Sequence, residues 1–99
     1  MNKVGVGLVG CGNISDIYFQ NAKKFSNIEI VACCDVFEER MRSKAKAYKI
    51  PQTGTLKDIL DNPNIEIILN LTPPQSHAEI TLAALNAGKH VYSEKPLAV

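Results

Sequence analysis

Residues 4 to 15, Val4-Gly5-Val6-Gly7-Leu8-Val9-Gly10-Cys11-Gly12-Asn13-Ile14-Ser15, read as a buried apolar strand running into a glycine turn. An apolar helix stripe follows, and a second apolar strand, Ile28 to Cys34, ends in Asp35. Strand, tight turn, helix and carboxylate stand in the order that a dinucleotide site requires. The helix N-terminus and free backbone N–H groups face the pyrophosphate, and the carboxylate accepts from the ribose hydroxyls. The same order commits the chain to a parallel βαβ unit, because a strand followed by a helix and a second apolar strand closes by a right-handed crossover.

Two registers of the glycine pattern compete. Gly5, Gly7 and Gly10 satisfy G-x-G-x-x-G formally, but the first two alternate with valines and lie inside the strand. A phosphate loop must follow the strand, where its N–H groups are free. Gly10, Gly12 and Ser15 meet that condition, with serine in place of the third glycine, where close helix–strand packing needs a small residue. Asp35 lies 20 positions after Ser15, near the spacing expected of the ribose partner. The competing reading is a glycine-rich strand that ends in an ordinary turn.

Strands and helices alternate through the rest of the chain. The first helix is expected from Asn13 to Phe25, with Ile14, Ile17, Tyr18, Ala22 and Phe25 as its inward stripe. A second helix, Phe37 to Lys49, has Glu38 and Glu39 in its first turn and buries Met41, Ala45 and Tyr48. Ile50 to Thr53 reads as a short or edge strand because Pro51 lacks a ladder donor. Thr55 and Asp58 are spaced as a capping box for a short helix, Leu56 to Leu60. Ile65 to Leu71 is a mostly apolar strand. Ser76 and Glu79 suggest a second capping box, Gly88 ends that helix, and His90-Val91-Tyr92 begins a fifth strand. The expected architecture is α/β, a Rossmann-type doubly wound parallel sheet of order 3-2-1-4-5. The loops after Val9 and Leu71 then border one crevice at the switch point.

Bulk properties exclude several classes. Ninety-nine residues make one domain, and a net charge of +1 gives no electrostatic case for nucleic acid or a membrane surface. No apolar run reaches membrane-spanning length, and the start Met1-Asn2-Lys3 before the first strand leaves no room for a cleavable signal peptide. Three cysteines cannot all pair, and Cys33 and Cys34 face opposite sides of a strand, so buried thiols in a reducing cytoplasm are expected. Cys11 fits the glycine loop as a small residue. His77 and His90 have no partners at metal-ligand spacing, so no metal is expected. His77 stands near the crevice, His90 is expected to pack or hydrogen-bond within the fold, and Lys44, Lys46 and Lys49 read as a solvated helix face.

The second half carries a more specific signature. Asn70-Leu71-Thr72-Pro73-Pro74-Gln75-Ser76-His77 is followed by Ala87-Gly88-Lys89-His90-Val91-Tyr92-Ser93-Glu94-Lys95-Pro96-Leu97-Ala98. With the Gly-Cys-Gly-Asn-Ile-Ser turn, this resembles the nucleotide-binding half of the glucose–fructose oxidoreductase / inositol dehydrogenase (Gfo/Idh/MocA) family, over essentially the whole chain. The resemblance implies that Gly10, Gly12, Asn13 and Ile14 form the turn at the pyrophosphate. It implies that Asp35 binds the adenosine ribose of NAD and that Thr72, Pro73 and His77 line the cofactor. Glu94, Lys95 and Pro96 match the motif beside the nicotinamide, with Lys95 contacting substrate and assisting catalysis. It further implies an NAD(H)-dependent oxidoreductase acting on a sugar, polyol or cyclic alcohol, a homo-oligomer when intact. Family members continue into a second α/β domain that supplies most substrate contacts; the 99 residues correspond to the nucleotide-binding domain alone.

The residues bear this chemistry independently. At the C-terminal edge of a parallel sheet, Lys95 can bring a positive charge to a hydroxyl or a developing alkoxide while the carbon gives up hydride, or relay that proton if its pKa is lowered. Glu94 can hold the lysine and Pro96 stiffen its turn. Without the motif Lys95 would be a solvated strand-end lysine. Two alternatives stay open: a non-catalytic nucleotide-sensing domain, and a family member using NAD transiently in a net non-redox reaction such as glycoside cleavage.

Overall fold

The computed structural model describes residues 4–12, 15–22, 24 and 27–93. Five parallel strands, β1 (Val4–Val9), β2 (Ile28–Cys34), β3 (Gln52–Thr53), β4 (Ile67–Asn70) and β5 (His90–Ser93), lie in the order β3-β2-β1-β4-β5. This is the expected order. Between them run α1 (Ser15–Ala22), α2 (Glu38–Tyr48), α3 (Leu56–Leu60) and α4 (Pro74–Asn86).

The apolar strands are continuous rather than alternating because both sheet faces are covered near β1. On one face, α1 and α2 meet through Phe19 stacked on Tyr48, with ring centroids 4.6 Å apart. Asp16 reinforces that contact, accepting from Lys44 Nζ at 2.5 Å and from Tyr48 Oη at 2.9 Å. On the other face, Ile59 of α3 and Ile65 sit so close to β1 that a Cβ on Gly7 would meet Ile59 at 2.7 Å; a Cβ on Gly5 would meet the Asn64 carbonyl at 1.9 Å. Gly7 therefore serves the packing of α3 on the sheet, and Gly5 the close approach of the Asn64–Ile65 backbone. Leu8, Phe19, Ile59, Ile65 and Ile68 are fully buried, each such side chain worth about 1.5–3 kcal/mol.

β1 pairs with β2 in two registers. Val6 faces Ile30 and Gly7 faces Ala32, so Val31 is an extra residue in β2. α3 has the expected capping box, Thr55 Oγ1 accepting from Asp58 N and Asp58 Oδ2 from Thr55 N. α2 ends at Tyr48, with Lys49 in the left-handed region at φ 56°, and Gly88 follows α4 at φ 80°. β3, cut short by Pro51, is one edge of the sheet and β5 the other.

Four local expectations are corrected. In α1 the buried positions are Ser15 and Phe19, while Ile17 is 56% exposed; the ring stacking on Tyr48 turns the helix by about one residue from the expected stripe. Ile14 and Phe25 lie outside the described residues. α4 begins at Pro74 with Pro73 as its N-cap and no side-chain cap, so Ser76 and Glu79 are inside the helix and form no capping box. Proline suits the first helical turn because its missing N–H would have no partner there. Lys44 is not solvated with Lys46 and Lys49 but paired with Asp16, its side chain 19% exposed. His90 is exposed in β5.

Candidate functional site

β1 and β4 are neighbours whose following loops diverge, which opens a crevice at the C-terminal ends of the strands. A cavity of about 850 Å³ lies there. Gly10, Gly12, Asp35, Phe37 and Arg40 line one side, and Leu71, Thr72, Pro73, Ser76 and Ile80 the other.

The turn after β1 has two glycines with different reasons. Gly10 has φ 102°, and a Cβ there would lie 2.9 Å from the Leu71 carbonyl carbon and 3.2 Å from Thr72 N. Only glycine fits between the two loops. Among the described residues, a Cβ at Gly12 would meet nothing closer than Arg40 Nη1 at 3.7 Å. The missing side chain there leaves room beside the backbone, as a turn approaching a pyrophosphate needs. Ser15, fully buried at the start of α1, donates its hydroxyl to the Gly12 carbonyl at 2.6 Å, and Ser15 N donates to the same oxygen at 3.0 Å. Serine thus packs as the third glycine would and also fastens the turn.

Asp35 follows β2 with its side chain 6% exposed. Its Oδ2 accepts from Cys11 N at 2.6 Å and its Oδ1 from Phe37 N at 2.8 Å. A carboxylate has about four lone-pair sites, so capacity for hydroxyl donors remains. The Arg40 guanidinium stands 3.9 Å from Asp35 Oδ2 and lies over the Phe37 ring, 4.6 Å from its centroid. Arg40 lies five positions beyond Asp35 in the sequence. The first turn of α2 brings it back over the crevice, since side chains one turn apart share a face.

Across the crevice, Asn70 closes β4 with no exposure at all. Its Nδ2 donates to the His77 carbonyl and to Thr81 Oγ1, each at 3.0 Å. Its Oδ1 accepts from Thr72 N at 3.1 Å and Thr72 Oγ1 at 2.6 Å. A buried amide saturated in this way fixes the loop that carries Thr72 and Pro73. The signal in the sequence was a polar residue ending an apolar strand. His77 is half-buried, does not line this crevice, and has a buried Nε2 with no hydrogen-bond partner among the described residues. Asn13, Ile14, Glu94, Lys95 and Pro96 lie outside the described residues.

Beneath the turn, Cys11, Cys33 and Cys34 are buried free thiols. Cys11 Sγ donates to the Cys34 carbonyl at 3.5 Å. A hydrogen bond with Cys33 and burial push the Cys11 thiol far above its ordinary range, and burial, with Cys33 and Asp35 adding, pushes Cys34 up to about 12. The same hydrogen bond with Cys11 lowers Cys33, but burial keeps all three sulfurs from solvent, and they pack as small apolar residues. No group of three His, Cys, Asp or Glu that could hold a metal occurs among the described residues, and no helix among them is long and apolar enough to cross a membrane.

A parallel sheet of this order, with an open glycine turn and an acidic residue closing the next strand at the switch point, defines a Rossmann-type dinucleotide-binding domain. The chain belongs to the GFO_IDH_MocA oxidoreductase family with the NAD-binding Rossmann fold, whose model matches residues 4–99. It is 34% identical over 98 residues to inositol 2-dehydrogenase of Salmonella typhimurium, covering 97% of this chain and 28% of that enzyme. Among solved structures it resembles a putative myo-inositol dehydrogenase from Sinorhizobium meliloti (TM-score 0.88, 28% identity, 95% of this chain and 28% of that one). It also resembles the WlbA dehydrogenase from Bordetella pertussis in complex with NADH and UDP-GlcNAcA (TM-score 0.87, 32% identity, 97% and 30%). The chain therefore spans under a third of the length of these relatives.

The residues present fit a dinucleotide: the free space at Gly12 for the pyrophosphate, Asp35 for the ribose, and Thr72 and Pro73 on the opposite wall. NAD bound there would supply a hydride acceptor at its nicotinamide. The chain's own part would be to bind and orient that group.

Proposed function

We propose that this chain is the dinucleotide-binding domain of an NAD(H)-dependent oxidoreductase that transfers hydride between nicotinamide and a CH–OH group of a sugar, polyol or cyclic alcohol. The observation that carries the reading is the open space at Gly12 beside the buried Asp35 carboxylate, at the switch point between β1 and β4. The relatives named as inositol dehydrogenases support the substrate class. In this reading Gly10, Gly12, Asn13 and Ile14 approach the pyrophosphate, and Thr72 and Pro73 belong to the cofactor wall, from which His77 stands apart. Glu94, Lys95 and Pro96 follow β5 at the nicotinamide end, with Lys95 as the catalytic cation that stabilises the alkoxide or relays its proton. A second domain supplies most substrate contacts, and the complete enzyme is a cytoplasmic homo-oligomer.

The test is kinetic. In the complete protein, Lys95→Ala should lower kcat/KM for a polyol by at least about 100-fold, the low end of general acid–base contributions, while the Kd for NAD stays within about twofold. Nicotinamide absorbance follows the first and calorimetry the second. Wild-type kinetics in the variant would remove Lys95 from the chemistry. Residues 1–99 alone should not turn over substrate, because orientation worth about 7–11 kcal/mol of barrier is missing.

A further inference from the structure

Asp35 enters the proposed function as an acceptor for ribose hydroxyls, yet its geometry serves the neighbouring loop first. The carboxylate is nearly closed off from solvent, and the oxygen facing β1 takes the backbone N–H of Cys11, 24 residues earlier in the chain, at 2.6 Å. Gly10 N donates to the Cys34 carbonyl at 2.9 Å, one ladder step before. The turn from Gly10 to Gly12 is thus held to the end of β2 by two successive bonds, and the second is charge-assisted, the stronger kind. Gly10, at φ 102°, needs such a hold, because a glycine in that region has no side chain to restrict it.

We propose that Asp35 is a positioning residue for the pyrophosphate turn as well as a ribose acceptor: its anchor on Cys11 N–H fixes the Gly12 backbone before a nucleotide arrives. The inference rests on the reading of this crevice as a dinucleotide site. Its physical consequence is that the ribose and pyrophosphate ends are not independent. An asparagine at 35 offers one acceptor oxygen and one NH2 donor group to the two N–H donors of Cys11 and Phe37, so one anchor is lost and two donors oppose each other.

The experiment uses the complete protein, wild type and Asp35→Asn. In the ligand-free state, NMR amide exchange should be about tenfold or more faster at Cys11 in the variant, with the Leu8 amide unchanged as the internal standard for a folded sheet. Calorimetry then compares NAD with its 2′,3′-dideoxyadenosine analogue, which has no ribose hydroxyls for Asp35 to bind. Asp35→Asn should weaken the analogue by about tenfold as well as NAD. A variant that binds the analogue as tightly as wild type does, or leaves Cys11 exchange unchanged, overturns the inference and reduces Asp35 to a ribose contact. Should the variant not fold, wild type alone decides: a Cys11 amide exchanging as fast as an unbonded loop amide overturns the anchor, and strong protection supports it. If wild type binds neither nucleotide, the dinucleotide reading itself fails, and the exchange data still report on the anchor separately.

Discussion

Two glycines two residues apart should fail in opposite ways. Alanine at Gly10 would place its Cβ 2.9 Å from the Leu71 carbonyl carbon and 3.0 Å from its oxygen, at φ 102°. A side chain in so sparsely populated a backbone region costs on the order of 1–3 kcal/mol, and the overlap with backbone atoms adds to that because neither loop can swing aside. With about 4–8 °C of melting temperature per kcal/mol for a domain of this size, Gly10→Ala should melt at least about 8 °C below wild type. Valine at Gly12 meets no such conflict among the described residues: the nearest atom to its Cβ is the end of the flexible Arg40 side chain at 3.7 Å, and no positive φ is involved. Gly12→Val should keep its melting temperature within about 4 °C, less than 1 kcal/mol, and lose NAD affinity by more than tenfold, about 1.4 kcal/mol. Circular-dichroism melts and calorimetric titration on both variants give the result. A Gly12→Val protein that binds NAD normally would mean the turn is merely structural, and equal melting losses in both variants would refute the division between packing and ligand space.

In the proposed site Asp35 should favour NAD(H) over NADP(H) by repelling a 2′-phosphate, and Arg40, 3.9 Å away, should oppose that repulsion. Arg40→Ala should widen the NAD preference by about fivefold or more, roughly the 1 kcal/mol of an exposed charge contact; an unchanged ratio in competitive titration would dismiss Arg40 from cofactor choice. Hydrogen bonds from Lys44 and Tyr48 hold the Asp16 carboxyl below its ordinary range. Their contribution is fully present above the unfolded carboxylate pKa of about 3.9 and is lost as pH falls from there through the lower folded value. Urea midpoints between pH 6 and 3 should therefore fall more steeply for wild type than for Asp16→Asn, and parallel curves would contradict this. The three thiols should react with a disulfide reagent at pH 8 only as fast as the protein opens, since all are buried and Cys34 is pushed up to about 12; rapid labelling of folded protein would count against it.

The strand order was legible because Val, Ile and Leu runs bounded by Gly, Pro and Asn leave little choice in an alternating α/β chain. Gly12 and Asp35 were legible because turn and acid must each sit at a strand end. What escaped was anything set by helix rotation. Apolar spacing alone put Ile17 inward, but the aromatic contact between Phe19 and Tyr48, 29 residues apart, decides which face of α1 is buried. Arg40, five positions beyond Asp35, comes beside it only through the first turn of α2. A serine followed three residues later by a glutamate looked like a cap, and Pro74 had already started the helix. Asn70 stood only as the first residue of the family signature, because its partner Thr81 becomes a neighbour only when α4 docks on β4.

The extra residue in β2 bears on how such a domain tolerates change in length. Ile28 and Ile30 lie on the face covered by α1, and Cys33, against the Met41 carbonyl of α2, shares it. With Val31 removed, the remaining residues would alternate strictly, and every partner in β1 from Val4 to Val9 would keep its present mate. The strand thus holds one residue of slack just before the acid. A deletion could be absorbed at Val31 while Asp35 stays against the glycine turn. A deletion after Ala32 has no such reserve: it would carry Asp35 about 3.3 Å along the strand and turn its side chain to the opposite face.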